Sequence, residues 1–349
     1  MKRCAYRVVH LDAGRKYYST ENLRKIIDNA AAAGFGQLEL YFSDHQGLRF
    51  ALDDMRVVTP QRTYDLAGAP GDGFGEEGNN PDGTDKYLTE PEMDALIAYA
   101  AEKGVEIVPA MGAPGHLGAV LMQPDAEHLR YPGSRGSVDI TRAEGRDFAL
   151  ALLEKYAVYF ASRGCRYFNF CADEFANDLG EHRMGYEMIY MNGMYTEHFV
   201  PFFNGAAAMI KSHGLIPRCF NDGVFYNEDD EGVGFDREVE ICYWTHGWEG
   251  YRLASAGYLA AKGFRLINAD STYYCVLGKN EWPDGAARAA DFEPDHFNNC
   301  EGRIEAAGAM MCFWCDMADS DGPDEGAAVA EKTAGIIAEF GRTLDRKCE

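Results

Sequence analysis

Two adjacent acidic residues, Asp173 and Glu174, are the sharpest chemical feature of the sequence. They follow the apolar run 167–172, which predicts that they stand at the end of a β-strand. Neighbouring residues on a strand point to opposite faces, but both can reach one cavity where the chain turns. Two close carboxyl groups raise the pKa of one of them, which yields a general acid beside a charged partner. The pair therefore predicts acid–base chemistry.

Other residues that could do chemistry follow further apolar runs at comparable positions. In chain order they are Asp12 and Arg15, Asp44, His116, Asn221 and Asp222, Trp244, His246 and Trp248, Tyr273 and Tyr274, and Trp314 and Asp316. Aromatic rings stack on the apolar faces of sugar rings, while carboxylates and arginine bind hydroxyl groups. The mixture therefore predicts a carbohydrate pocket with a few converging polar groups.

These residues need a scaffold that brings the ends of many strands together. Apolar runs alternate with helical segments along the chain, which is typical of a parallel sheet. The predicted strands are Tyr6–Asp12, Gln37–Asp44, Glu106–Gly112, Tyr167–Glu174, Pro217–Asp222, Glu240–His246, Arg265–Tyr273 and Ala309–Asp316. Glycines that could close the intervening helices stand at Gly34, Gly104, Gly164, Gly214, Gly263 and Gly308. Eight such units predict an α/β fold, a (β/α)₈ TIM barrel with its active site at the carboxyl ends of the strands.

The stretch from about residue 56 to 88 does not follow this alternation of strands and helices. It is rich in Gly, Pro, Asp and Asn and has no periodicity, so we predict a long irregular loop on the active-site face. We assign all of residues 1–349 to one catalytic domain, because no linker or repeat divides the chain. The acidic residues of the loop do not have EF-hand spacing, and the chain has no HExxH motif. We therefore predict neither a metal nor a cofactor.

The amino-acid composition limits the classes of binding partner that are expected. The 349 residues include 33 Lys and Arg against 56 Asp and Glu, a net charge of -23 that disfavours nucleic acid and anionic membranes. No apolar stretch is long enough to span a bilayer, and no apolar leader follows Met1. The ten cysteines lack paired zinc spacing and are expected to be reduced core residues. We expect a cytoplasmic location, although a protein trimmed from a secreted or surface precursor would look the same. The oligomeric state stays open.

Adjacent acids also constrain the mechanism. A retaining glycosidase ordinarily places its two carboxyl groups about 5–5.5 Å apart across the sugar. Sequence neighbours cannot easily straddle a sugar ring in that way. A nucleophile supplied by the substrate removes the difficulty, because the oxygen of a 2-acetamido group can attack the anomeric carbon while the protein only orients it.

Over nearly its whole length, the chain resembles the catalytic barrel of glycoside hydrolase family 20, the β-N-acetylhexosaminidases. The motifs similar to those of the family are Leu11–Arg15, Tyr41–Arg49, Ala113–His116 and Cys171–Phe175, on successive predicted strands. Three further segments look like those of bacterial exo-β-N-acetylglucosaminidases, namely Asp173–Asp178, Phe220–Gly223 and Tyr243–Trp248.

The resemblance implies three catalytic roles. Glu174 would be the general acid and then the general base. Asp173 would accept the acetamido N–H and stabilise an oxazolinium cation. Tyr273, or Tyr274 if the register slips by one, would donate to the acetamido oxygen.

The resemblance also implies a substrate-binding set. Arg15 and Asp316 would bind sugar hydroxyls. Trp244 and Trp314 would line the acetamido pocket and the floor on which the sugar ring lies. Asp44 and His116 would support Glu174. The remaining expected substrate contacts are Asn221, Trp248 and Tyr274.

The implied activity is exo-acting, retaining hydrolysis of terminal, non-reducing N-acetyl-β-D-glucosamine or N-acetyl-β-D-galactosamine, with a glycan carrying that sugar as the partner. Asp316 and Cys275 stand where the family usually has Glu and Asp, so the choice between the two sugars stays open. Two alternatives also stay open: release of a disaccharide, as lacto-N-biosidases do, and a barrel that binds glycans without cleaving them.

Overall fold

Parallel strands pair in chain order and close into a barrel. The computed structural model describes residues 4–75, 78–179, 184–230, 234–247, 251–279 and 284–348. The barrel strands are β1 (Tyr6–Asp12), β2 (Gln37–Tyr41), β3 (Glu106–Ala113), β4 (Tyr167–Cys171), β5 (Ile216–Phe220), β6 (Glu240–Tyr243), β7 (Arg265–Asn268) and β8 (Gly308–Trp314). Each strand pairs with the next, and β8 pairs with β1 to complete the ring. The predicted (β/α)₈ barrel is confirmed.

Helices between the strands cover the outside of the barrel. They are α1 (Thr20–Ala32), α2 (Glu90–Glu102), α3 (Gly118–Leu121), α4 (Ala143–Ser162), α5 (Gly185–Met191), α6 (Tyr195–Ser212), α7 (Ala256–Ala261), α8 (Gly285–Asp291) and α9 (Ala327–Lys347). Within the described residues, no helix is long and apolar enough to cross a bilayer.

The alternation of side chains along each strand divides the core into two parts. In β1, Val9 and Leu11 belong to the large cluster between sheet and helices, whereas Val8 belongs to the smaller cluster inside the barrel. His10 also lies inside the barrel, where it is fully buried and 2.9 Å from the Glu39 carboxylate. His10 is therefore a packed core residue.

Several strands end earlier than the sequence predicts. β2 ends at Tyr41 rather than Asp44, β4 at Cys171 rather than Glu174, and β7 at Asn268 rather than Tyr273. The apolar runs continue past these points because the following turns are buried as well. Burial alone therefore does not mark where a barrel strand ends.

The long segment after β2 is more ordered than predicted. Arg56–Val58 pairs with Thr63–Asp65, and Gly47–Leu48 pairs with Gly71–Asp72, both antiparallel. Asp82 accepts a hydrogen bond of 3.0 Å from the buried ammonium of Lys16. These short ladders and buried contacts order parts of a segment whose other described residues form no strand or helix.

Most of the predicted helix-closing glycines adopt the left-handed conformation that such a position needs, at Gly34, Gly104, Gly164, Gly214 and Gly263. Gly308 is different, since it begins β8. A Cβ at Gly308 would lie 2.7 Å from Cβ of Tyr6, so glycine is needed there for close strand packing. All the cysteines except Cys348 are buried, as expected for core residues.

Candidate active site

A cavity of about 530 Å³ opens at the carboxyl ends of the strands. This is the face on which TIM barrels carry their active sites. Its lining residues are Arg15, His116, Asp173, Glu174, Phe220, Trp244, Tyr274, Val276, Trp314 and Asp316. Most of the residues singled out in the sequence are thus brought together. Phe220, which begins one of the family-like segments, joins them, and Val276 joins the site without any distinctive sequence signal.

Asp173 and Glu174 both reach this cavity because the backbone stops being extended. Cys171, Ala172 and Glu174 have positive φ angles of 60°, 58° and 47°, so the chain coils as it leaves β4. The conformation is costly for residues other than glycine and is held by the surrounding structure. Gly115 supports it, since a Cβ there would lie 3.1 Å from the carbonyl oxygen of Asp173.

His116 connects the acidic pair to a buried carboxylate. Its Nδ1 lies 2.9 Å from Asp44 Oδ2, while its Nε2 lies 3.3 Å from Glu174 Oε2 and 3.6 Å from Asp173 Oδ2. Burial alone would lower the pKa of His116, but the charges of Asp173 and Asp44 and the contact with Glu174 raise it well above its usual value. The imidazole is therefore a cation held between three carboxylates.

Asp44 is fully buried behind His116 rather than exposed in the cavity. It accepts hydrogen bonds from Tyr41 Oη at 2.8 Å and from His116, and it pairs with Arg15 at 3.1 Å. Burial would raise the pKa of Asp44, but Arg15 and His116 hold it well below its usual value. Asp44 therefore acts through His116 and Arg15.

A third acid, Asp222, lies behind the pair at the end of β5. It is fully buried, accepts the backbone N–H of Glu174 at 3.2 Å and accepts the indole N–H of Trp244. Burial, reinforced by the charges of Asp173 and Glu174, raises the pKa of Asp222 well above its usual value. The sequence placed Asp222 at a strand end but gave it no role.

The pKa of Asp173 is also raised. Burial is the main cause, and the neighbouring charge of Glu174 adds to it, while the His116 cation opposes the shift. The protonation of Asp173 is therefore sensitive to the state of His116.

Aromatic rings form one wall of the cavity. Trp244 and Tyr274 are stacked with centroids 6.4 Å apart and planes 9° apart, and Tyr274 lies 6.0 Å from Trp314. The guanidinium of Arg15 stands 5.3 Å from the Trp314 ring. Arg15 is fixed there by a 2.8 Å hydrogen bond to Asp12.

The expectation that Tyr273 faces the cavity is wrong, and Tyr274 takes that place. The Tyr273 hydroxyl donates to the carbonyl of Asp291 at 3.4 Å, and its ring packs against Phe292 at 5.1 Å. A short turn causes this, because the Asp270 carboxylate accepts the Thr272 N–H at 2.8 Å and turns the two tyrosines to different sides.

Asn221 does not line the cavity either. Its amide nitrogen donates to the carbonyl of Thr245 at 2.7 Å, and its amide oxygen accepts the N–H of Trp244 at 2.9 Å. Asn221 therefore stabilises the turn after β6 and does not face the cavity. Trp248, the remaining expected contact, lies outside the described residues.

Among the residues that the structure describes, two groups of side chains have donor atoms within 4.8 Å of one another and could hold a cation. Both share His116, one with Asp44 and His45 and the other with Asp173 and Glu174. The sequence spacing did not predict them, because the residues come from three different strand ends. Metal binding at either group would require His116 to be neutral.

Similarity to known proteins identifies the family of this chain. The family profile for the catalytic domain of glycosyl hydrolase family 20 matches residues 4–321. The chain belongs to this family. Family 20 relatives include a β-hexosaminidase of Akkermansia muciniphila, 24% identical over 305 residues that make up 80% of this chain and 56% of the relative. A β-hexosaminidase of Vibrio vulnificus is 28% identical over 150 residues, 41% of this chain and 17% of the relative. The chain thus spans only part of the length of these family 20 relatives.

Solved structures agree with the family assignment. A catalytic module of the pneumococcal exo-β-D-N-acetylglucosaminidase StrH is 28% identical, with a TM-score of 0.85, covering 99% of this chain and 83% of that one. Dispersin B is 22% identical with a TM-score of 0.74, covering 97% and 99%, and supports the fold alone.

Proposed function

We propose that this family 20 domain is an exo-acting β-N-acetylhexosaminidase that removes terminal, non-reducing N-acetyl-β-D-glucosamine or N-acetyl-β-D-galactosamine from glycans with retention of configuration. The observation that carries the proposal is the convergence of Asp173 and Glu174 on one nitrogen of His116, at 3.6 and 3.3 Å. The catalytic acids therefore stand on one side of the cavity.

That convergence supports a nucleophile supplied by the substrate. Two carboxylates that share one imidazole nitrogen cannot lie on opposite faces of a sugar ring, as a protein nucleophile and its acid partner do. The oxygen of the substrate's own 2-acetamido group supplies the attack on the anomeric carbon. The product of this step is an oxazolinium ion, which water then opens with overall retention.

Glu174 is the residue that transfers the proton. It is the more exposed member of the pair, with a side-chain exposure of 23% against 13% for Asp173. It protonates the leaving oxygen in the first step and removes a proton from water in the second. His116 holds its carboxylate in place from behind.

Asp173 and Tyr274 hold the acetamido group. Asp173 accepts its N–H and balances the positive charge that develops in the ring, while the Tyr274 hydroxyl donates to its carbonyl oxygen. Trp244 and Trp314 flank Tyr274 and exclude water from the methyl group. The contact of Asp173 strengthens as positive charge develops, so it favours the transition state over the bound substrate, whereas Tyr274 orients the oxygen for attack.

The opposite end of the cavity binds hydroxyl groups. Arg15 donates and Asp316 accepts there, and both line the cavity.

Hydrolysis of the 4-nitrophenyl N-acetyl-β-D-glucosaminide and galactosaminide tests the proposal. We expect at least one to be cleaved, with the β-anomer appearing first in the proton NMR spectrum. Binding of N-acetylglucosamine without cleavage of either substrate would instead support a glycan-binding barrel. Release of a disaccharide from a branched glycan, with no monosaccharide, would support the lacto-N-biosidase alternative.

A further inference from the structure

Two cations hold the carboxylate of Asp316, one at each oxygen. Arg15 Nη1 lies 3.7 Å from Oδ1, and Lys279 Nζ lies 2.8 Å from Oδ2. Arg15 is already engaged by Asp12 and Asp44, at 2.8 and 3.1 Å. The contact with Lys279 is thus the shorter of the two and the one that fixes the rotation of the Asp316 side chain.

The backbone around Lys279 is held against the end of β8. Leu277 N–H donates to the Trp314 carbonyl at 2.8 Å, and Met317 N–H donates to the Leu277 carbonyl at 3.2 Å. Gly278 turns the chain with a φ of +80°, and a Cβ there would lie 2.4 Å from Cβ of Met317. Lys279 therefore starts from a fixed position, and its side chain has a short, defined path to Asp316.

The long segment after β2 completes the arrangement. Asn79 Oδ1 accepts a 2.9 Å hydrogen bond from Lys279 Nζ. The N–H of Asn80 and the amide of Gln46 donate to the Asp316 carbonyl at 2.9 and 2.7 Å. This segment therefore fixes Asp316 twice, directly through its backbone and indirectly through Lys279.

The position of Asp316 in the barrel determines which part of a bound sugar it would contact. β8 lies opposite β4 in the closed ring, so Asp316 faces Asp173 and Glu174 across the cavity. A sugar with its anomeric carbon at Glu174 presents the opposite ring edge, which carries the C4 hydroxyl, to Asp316. This step rests on the proposed function.

We propose that Lys279 is a positioning residue that aims the Asp316 carboxylate at the C4 hydroxyl of the terminal sugar and so sets the discrimination at C4. Without the ammonium, Asp316 keeps only the longer contact with Arg15 and can rotate. A hydrogen bond to a misdirected carboxylate is weak, because its strength falls steeply with poor alignment.

The test compares wild type with Lys279→Met on two substrates, a 4-nitrophenyl N-acetyl-β-D-hexosaminide that wild type cleaves and its 4-deoxy analogue. We expect Lys279→Met to lower kcat/KM about 10-fold or more on the parent substrate, the effect of losing one hydrogen bond to a charged group. On the 4-deoxy analogue the same substitution should change kcat/KM less than about twofold, because the hydroxyl that Asp316 would bind is absent.

Lys332→Met is the matched control. Lys332 is 39% exposed and pairs with Asp321 at 2.7 Å, compared with 42% and 2.8 Å for Lys279, yet it does not line or support the cavity. It should leave kcat/KM unchanged on both substrates. Asn79→Ala should reproduce part of the Lys279→Met pattern, with the loss again confined to the parent substrate.

Equal losses on the parent and the 4-deoxy substrate would overturn the role of Lys279, and so would unchanged kinetics on both. Failure of the proposed function is distinguishable, since wild type would then cleave neither substrate. In that case calorimetric titration with N-acetylglucosamine and its 4-deoxy analogue makes the same comparison through Kd. Loss of affinity in Lys279→Met that is confined to the parent sugar supports the role, and equal affinity overturns it.

Discussion

Nε2 of His116 lies 3.3 Å from Oε2 of Glu174, with the ring held by Asp44 at its other nitrogen. His45 stacks on the outer face of the His116 ring with centroids 4.8 Å apart. The imidazole therefore has a fixed orientation, with Glu174 and Asp173 at one of its nitrogens.

Removal of the His116 cation should move the acid limb of the pH–rate profile. The cation opposes the raised pKa of Asp173, so His116→Phe should raise that pKa further. In the proposed mechanism Asp173 must be ionised to stabilise the oxazolinium ion, so activity should then be lost at a higher pH on acidification, by about one unit or more. The measurement is kcat/KM against pH. His128→Phe, which removes a histidine that contacts Glu144 far from the cavity, should not move the limb. An unchanged limb in His116→Phe would contradict this coupling.

Glu174→Gln should affect substrates according to their leaving groups. Loss of general acid catalysis costs about 10²–10⁴-fold in rate, and the cost falls when the leaving group needs no proton. We expect the largest loss in kcat on N,N′-diacetylchitobiose and a smaller one on the 2,4-dinitrophenyl glycoside. Glu154→Gln, at an exposed site paired with His213, is the control. Equal losses on the two substrates would exclude Glu174 as the proton donor.

Substitution of the two neighbouring tyrosines should have very different effects on kcat. Tyr274→Phe removes the hydroxyl of a tyrosine that lines the cavity and should lower kcat about 10²-fold, because the acetamido oxygen then loses the donor that orients it for attack. Tyr273→Phe removes only a 3.4 Å hydrogen bond to Asp291 and should leave kcat within about twofold. Each variant serves as the control for the other. A loss in Tyr273→Phe alone would restore the assignment expected from sequence.

Asn221→Ala should weaken both the fold and substrate binding. It removes two buried hydrogen bonds that fix Trp244 and Thr245, so the free energy of unfolding should fall by about 1–3 kcal/mol and KM should rise. Urea unfolding and steady-state kinetics provide the two readouts. Asn204 bridges backbone groups of Gly234 and Asp236 away from the cavity, so Asn204→Ala should lower stability without changing KM. An unchanged KM in Asn221→Ala would show that the turn after β6 does not depend on this side chain.

Much of the fold could be predicted because its signals are local. Apolar runs, helix-closing glycines such as Gly34 and the acids at the end of β4 each lie within a few residues of the feature they define. The sequence therefore predicted the barrel and the side of it that carries Asp173 and Glu174.

The errors came from interactions that are distant in sequence or decided by one residue of register. The choice between Tyr273 and Tyr274 depends on a turn fixed by Asp270, and a shift of one residue reverses which side chain faces the cavity. The contact between Asn79 and Lys279 joins positions 200 residues apart, and no periodic pattern in the sequence predicts it.

The most direct test of substrate assistance is a series of 4-nitrophenyl glycosides whose acetamido methyl group carries zero, one, two or three fluorines. Fluorine withdraws electrons from the amide oxygen and weakens it as a nucleophile while changing its size little. If that oxygen attacks the anomeric carbon, log kcat/KM should fall steeply with each added fluorine in the wild-type enzyme. A flat series would show that the amide takes no part in the bond-making step and would contradict the proposed mechanism.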